Sequence, residues 1–198
     1  NIACVTGMMD SLMMNAFKSM LDSHPEFHLN LLFEDKVQDL FEQRIDIAIR
    51  AGLDVLDDNM IARHILDLDF VIVAHRDYVA EKGMPQTLEA LAKADWISFL
   101  NSRYSSLQLT KAHEQMEIFP NYRISCNSLY ASRNLTMSGL GISIQPEIEA
   151  RKALVSGELI QLFPAWKLAS VPLYLVTLQR VQSEKVRIAC ELIMRYFE

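Results

Sequence analysis

The chain is short of cysteine, of clustered positive charge and of long apolar runs. Cys4, Cys126 and Cys190 are the only cysteines in 198 residues. They are too few and too scattered for a disulfide framework, and their number is odd. Reduced thiols in a cytoplasmic protein are the plain expectation. No Lys/Arg run exceeds two residues, and 19 basic against 25 acidic side chains leave a net charge of −6. A nucleic-acid-binding face needs a concentrated positive footprint, so this stretch is not expected to touch DNA or RNA itself. No segment approaches the ~20 apolar residues of a membrane span, and no charged-then-apolar secretory signal opens the chain. Neither a Gly-x-Ser-x-Gly elbow nor a phosphate-cradling Gly-x-x-x-x-Gly-Lys loop occurs. His24 and His28 have the spacing of a helical metal pair, but Pro25 between them breaks the helix that such a pair requires. His64, His75 and His113 have no Cys partner at ligand spacing. No enzyme activity, cofactor or metal is therefore expected.

A hydrophobic content of 51% is present, enough for an ordinary core that hides about 70% of the unfolded surface. The length suits one large domain or two small lobes. Asn1 opens the chain inside a strand and without an initiator methionine, which reads as a piece of a longer protein.

Strand one is expected at Ile2–Val5. Met9, Leu12, Met13, Ala16, Phe17, Met20 and Leu21 then form a helical apolar stripe, closed by His24-Pro25. A strand at His28–Phe33 precedes Asp35, which is placed to cap a short helix carrying Val37, Leu40 and Phe41. A strand at Ile45–Ile49 completes a βαβαβ unit, the pattern of a parallel sheet with right-handed crossovers. The pattern then restarts. Strands are expected at Phe70–Ala74, Trp96–Phe99, Tyr122–Cys126, Ile142–Ile144 and Leu173–Thr177, with a strand pair at 107–110 and 116–119. Helices are expected at Leu88–Lys93, at about 128–138, from Pro146 in a helix's first turn, and after a capping Ser183.

The segment Arg44–Gly52 contains Asp46-Ile-Ala-Ile-Arg50, followed by Phe70-Val-Ile-Val-Ala74 and Tyr78-Val-Ala-Glu-Lys-Gly-Met-Pro85. Order, spacing and residue types resemble the effector-binding domain of a LysR-type transcriptional regulator. Val79 stands where that family usually has Leu, and His75-Arg76 where Ser-Pro is usual. The resemblance implies an α/β fold of two Rossmann-like lobes joined by two crossover strands, like type 2 periplasmic binding proteins. Lobe I would comprise residues 1–73 and 173–198, and lobe II residues 74–172. It implies a bacterial, cytoplasmic sensor of a small effector in the inter-lobe cleft. DNA would be reached only through an N-terminal winged helix-turn-helix that this chain lacks. A homodimer is implied, and a tetramer for the full-length regulator. The alternative is a stand-alone solute-binding protein of the same fold that serves a transporter.

Open α/β sheets bind ligands beyond the carboxyl ends of their strands. Three turns here meet that rule: Thr6-Gly7-Met8, Leu100-Asn101-Ser102-Arg103 and Asn127-Ser128-Leu129. The resemblance places the effector at Thr6, Gly7, Met8, Leu100, Asn101, Ser102, Asn127, Ser128 and Leu129, and adds Phe33 and Glu34. Ordinary polar turns capping strand ends are the competing reading. Met8 is larger than the family's usual residue, so it either narrows the pocket or folds into the helix stripe. Arg50 either pairs structurally or offsets Glu34 and Asp35. Cys126 is either a core thiol or an oxidation-responsive one. Family dimers pair a first-lobe helix with a second-lobe helix of the partner, which implicates Met9, Met13, Met14, Phe17, Ser132 and Leu135. Because Met13 and Met14 are adjacent, one of them must point away from the stripe.

Overall fold

A computed structural model describes residues 1–9, 12–52, 59–99, 106–178 and 183–197. In chain order its elements are β1 (Ile2–Cys4), a single 3-10 turn (Thr6–Met8), α1 (Leu12–Ser23), β2 (Leu31–Phe33), β3 (Ile47–Ala51) and β4 (Met60–Leu68). Then come β5 (Phe70–His75), α2 (Arg76–Lys82), α3 (Leu88–Lys93), β6 (Trp96–Phe99), β7 (Leu107–Lys111) and β8 (Glu114–Ile118). The chain continues with β9 (Tyr122–Cys126), α4 (Leu129–Met137), β10 (Ile142–Pro146), α5 (Glu147–Ser156), β11 (Leu159–Leu162), β12 (Val171–Leu178) and α6 (Glu184–Phe197).

These elements form two compact units, Asn1–Leu68 with Val171–Glu198, and Asp69–Ser170. The divisions fall at Leu68/Asp69 and Ser170/Val171, so all of β5 belongs to the second unit. The first unit's sheet runs β2-β1-β3-β12-β4, and the second's runs β11-β5-β10-β6-β9. In the first, β1 pairs parallel with β2 and β3, whereas β12 is antiparallel to both β3 and β4. In the second, β6 is parallel to β9 and β10, and β5 is antiparallel to β10 and β11. The parallel pairing expected of the first three strands is present, and β12 and β4 extend it into a mixed sheet. Each sheet carries four strands running one way and a single strand, β12 or β5, running against them, in the same order.

Helix α1 forms where the stripe predicts it. Met13, Ala16, Phe17 and Met20 are all buried, at helical spacing. Each large side chain among them contributes about 1.5–3 kcal/mol by leaving water. The helix packs on α6. Leu21, expected on the same stripe, lies instead on the solvent side, 42% exposed. The helix expected after Asp35 does not form. Residues 40–44 are turn, with Arg44 at φ 53°. Val37 and Phe41 are 72% and 73% exposed, whereas Leu40 is fully buried beside Ile45 and Ala48. The capping role falls to Asp39, whose Oδ1 accepts from the N–H groups of Phe41 and Glu42 at 2.8 Å each.

In the second unit, successive residues of β5 serve two cores. Ile72 and Ala74 pack with Tyr78, Leu91, Trp96 and Ile142, while Val71 and Val73 pack with Ala150 and Leu159. This is the near-continuous apolar strand of a sheet covered on both faces. Tyr78–Lys82 of the Tyr78–Pro85 segment lie in helix α2, which is capped by His75, whose Nδ1 accepts from the Asp77 N–H at 3.3 Å. The unusual His75 therefore does the work of a hydroxyl cap. Pro146 ends β10 and precedes α5 as its N-cap, one residue ahead of the expected first-turn position. Strand β4 and strand β11 had no counterpart in the sequence reading.

Candidate functional site

Parallel pairing of β1 with β2 sets Cys4 opposite Phe33. The residues that follow these strands, 5–8 and 34–35, are therefore neighbours. The Glu34 N–H donates to the Cys4 carbonyl at 3.1 Å, extending that pairing by one step. Asp35 is then brought onto the turn after β1. Its Oδ1 accepts from the Thr6 N–H at 2.8 Å, and its Oδ2 accepts from the Thr6 hydroxyl in a short hydrogen bond. Thr6 was expected among the effector residues; its N–H and hydroxyl both donate to this internal carboxylate. Asp35, read from sequence as a helix cap, holds a strand-end turn instead.

Thr6, Gly7 and Met8 are all buried, and Met8 has no exposed surface. Burial of that completeness fits a packing side chain. Phe33 is half-buried and Glu34 is exposed. Glu34 Oε2 accepts from Gln38 Nε2, while the Gln38 carbonyl accepts from Arg50 Nη2. Arg50 Nη1 also lies 3.9 Å from Met60 Sδ. Arg50 thus ties β3 to the segment following β2.

In the second unit, Asn127, Ser128 and Leu129 connect β9 to α4. Ser128 is the N-cap of α4, and its Oγ accepts from the Ala131 N–H at 3.2 Å. Asn127 is exposed and Leu129 half-buried. The half-buried Cys126 thiol donates toward the carbonyl oxygens of Ser98 at 3.6 Å and Ser128 at 3.4 Å, pinning the end of β9. Leu100, Asn101, Ser102 and Arg103 lie outside the described residues.

Sequence reasoning missed a buried polar cluster behind the Asn127–Leu129 turn. Ser132, Arg133, Thr136, Ser143, Gln145 and Glu149 are each less than a tenth exposed. Arg133 Nη1 donates to Glu149 Oε2 at 3.1 Å, and Arg133 Nε to Gln145 Oε1 at 3.4 Å. Gln145 Nε2 donates to Ser143 Oγ at 2.9 Å and Ser132 Oγ at 3.3 Å. Thr136 Oγ1 lies 2.6 Å from Ser143 Oγ. The signal was present: Ser143 and Gln145 alternate on β10, and Ser132 and Thr136 share one face of α4.

Of the residues implicated in a dimer face, Met13, Phe17 and Ser132 are buried within the chain, whereas Met9, Met14 and Leu135 keep partial exposure. Between the adjacent methionines, Met13 faces inward. The His24 ring stacks on Phe27 with centroids 4.8 Å apart. No group of three or more potential ligands among the described residues is arranged to hold a metal ion. No helix there is long and apolar enough to cross a membrane. A cavity of about 250 Å³ opens at the opposite, amino end of β1 and β3, lined in part by Asn1, His28, Asp46 and Lys185.

Comparison with known proteins agrees with this architecture. The structure of the regulatory domain of CrgA, a LysR-type transcriptional regulator from Neisseria meningitidis, superposes with a TM-score of 0.88 at 22% identity, covering 100% of this chain and 97% of that one. The full-length Vibrio cholerae virulence activator AphB gives 0.83 at 23% identity, covering 100% of this chain and 67% of that one. Both likenesses give the two-lobed, periplasmic-binding-protein-like α/β fold. In sequence, the HTH-type transcriptional regulator PtxR of Pseudomonas aeruginosa is 29% identical over 155 residues, 76% of this chain and 48% of the relative. The chain thus spans about half the length of that relative. The family model described as "LysR substrate binding domain" matches residues 1–198, and the chain belongs to that family.

Proposed function

We propose that this chain is the effector-sensing part of a longer, cytoplasmic LysR-type transcriptional regulator. It binds a small molecule through the strand-end residues Thr6–Met8, Phe33, Glu34 and Asn127–Leu129, together with Leu100, Asn101 and Ser102. The observation that carries the reading is the family match along the entire chain, joined by relatives named as HTH-type transcriptional regulators. The net charge of −6 supports leaving DNA contact to a separate N-terminal winged helix-turn-helix. The regulator works without turnover or cofactor. Its effector acts by favouring one arrangement of the protein over another, since a ligand with equal affinity for both would transmit nothing. A homodimer, and a tetramer of the full-length protein, would use Met9, Met14 and Leu135, the partly exposed members of the implicated helix faces.

A thermal-shift screen of metabolites against the isolated chain tests this reading, because a ligand that binds only the folded state raises its apparent stability. At ligand concentrations a hundredfold above Kd the gain is about 2.7 kcal/mol. A regulator is supported if the hit also changes operator binding by the full-length protein. A secretory signal encoded upstream of Asn1, in place of a helix-turn-helix, would transfer the reading to a solute-binding protein.

A further inference from the structure

We propose that the buried polar face of α4 is a register lock. It holds the helix in one position against β10, and with it the Asn127–Leu129 turn at the helix head. A helix lying on a sheet ordinarily buries an apolar stripe. The buried residues of α4 are instead Ser132, Arg133 and Thr136. Strand β10 meets them with Ser143 and Gln145, neither of which has exposed surface. Donor chemistry gives the contacts one direction. A guanidinium only donates, so Gln145 turns its oxygen to Arg133 Nε and its amide N–H groups to the hydroxyl oxygens of Ser143 and Ser132. A backbone carbonyl only accepts, so the Thr136 hydroxyl donates to the Ser132 carbonyl at 2.9 Å and receives the Ser143 proton across 2.6 Å. Among the described residues no buried side-chain nitrogen or oxygen lacks a partner. The contacts Arg133 to Gln145, Gln145 to Ser132 and Thr136 to Ser143 all cross from helix to strand. Apolar packing tolerates a slide or a small rotation, because dispersion has no direction, whereas hydrogen bonds weaken steeply as their angle opens. Stability alone would be served as well by apolar residues of similar volume. What the polar face adds is position. Only the purpose of the lock, a turn kept in one geometry for an effector, rests on the site reading above.

The test replaces every polar side chain of the cluster at once, in S132A/R133M/T136V/S143A/Q145M/E149L, and follows the chain without any ligand. Urea denaturation reads stability, and nitrogen relaxation dispersion of the backbone amides reads motion on the microsecond-to-millisecond scale. The expected result is a denaturation midpoint no lower than the wild type's, with exchange broadening that the wild type lacks. That broadening is confined to α4 and the Asn127–Leu129 turn. A lower midpoint would make the network ordinary stabilisation and overturn the proposal. Unbroadened amides, broadening spread through the second unit, or broadening already present in the wild type overturns it too. Should the sixfold variant not fold, T136V/S143A removes one crossing contact from both sides and is read by the amides alone. Broadening confined to α4 and its turn then supports the lock, and its absence overturns it. Because no ligand enters the experiment, failure of the lock is separate from failure of the site reading.

Discussion

Replacing Glu149 with Leu removes one partner of an ion pair that water does not reach. The Arg133 and Glu149 side chains are 6% and 0% exposed, and their closest atoms are 3.1 Å apart. In E149L the guanidinium stays buried between α4 and β10, still donating to Gln145. Breaking a buried pair from one side costs about 3–5 kcal/mol, because an uncompensated charge remains. That is a large share of the ~5–15 kcal/mol that stabilises a typical domain. The paired variant R133M/E149L removes both charges and keeps most of the volume, so it should recover much of the loss. Urea denaturation of the wild type, both single variants and the double variant completes the cycle. The expected coupling favours the pair by more than about 2 kcal/mol, within the range measured for contacting residues. A loss below about 1 kcal/mol in E149L, or a double variant as unstable as the sum of the singles, would refute the view that this pair anchors α4.

Gly141→Ala should destabilise the second unit by about 1–3 kcal/mol, the usual cost of overpacking. An added Cβ would lie 2.5 Å from the Asp95 carbonyl oxygen, which already accepts from the Ile142 N–H at 2.8 Å; the denaturation midpoint checks this, and an unchanged midpoint would contradict it. Ser128→Ala removes the hydroxyl that caps α4 and should cost about 1 kcal/mol, read as faster amide exchange at Ala131 than in the wild type. Burial pushes the Tyr78 and Tyr122 phenols above the ordinary value of 10.0. A raised folded-state pKa gives stability that is complete below the unfolded value and is lost as pH rises through the folded one. Absorbance titration should therefore show late-ionising phenols, and stability should begin to fall only above about pH 10. Ionisation of every tyrosine at the ordinary value would contradict the burial.

Local patterns carried the second unit well. Tyr122–Cys126 and the helix after it were legible because their apolar patterns are bounded by nearby signals, the Ser128 cap and then Gly139 and Gly141. Strand β4 was not legible. Its register against β12 slips between Leu173 and Tyr174, which pair with Leu66 and His64 and leave Ile65 over. That bulge resets the two-residue alternation on which strand recognition depends. The short helix after Asp35 was a false positive of local reasoning. A capping residue and three apolar side chains do fit a helix there, but Asp35 is claimed by Thr6, 29 residues earlier. Such a pairing follows from strand register, which no local window contains. The general rule for open sheets found the candidate turns, whereas the acid closing one of them became visible only in three dimensions.

Hydrogen–deuterium exchange of the isolated chain, with and without the metabolite that raises its melting midpoint most, tests effector sensing most directly. The expected result is saturable protection at residues 6–8, 33–35 and 127–129, the ends of β1, β2 and β9. Protection confined to the amino end of the first sheet, around Asn1, His28 and Lys185, would contradict a sensor built on the strand-end turns.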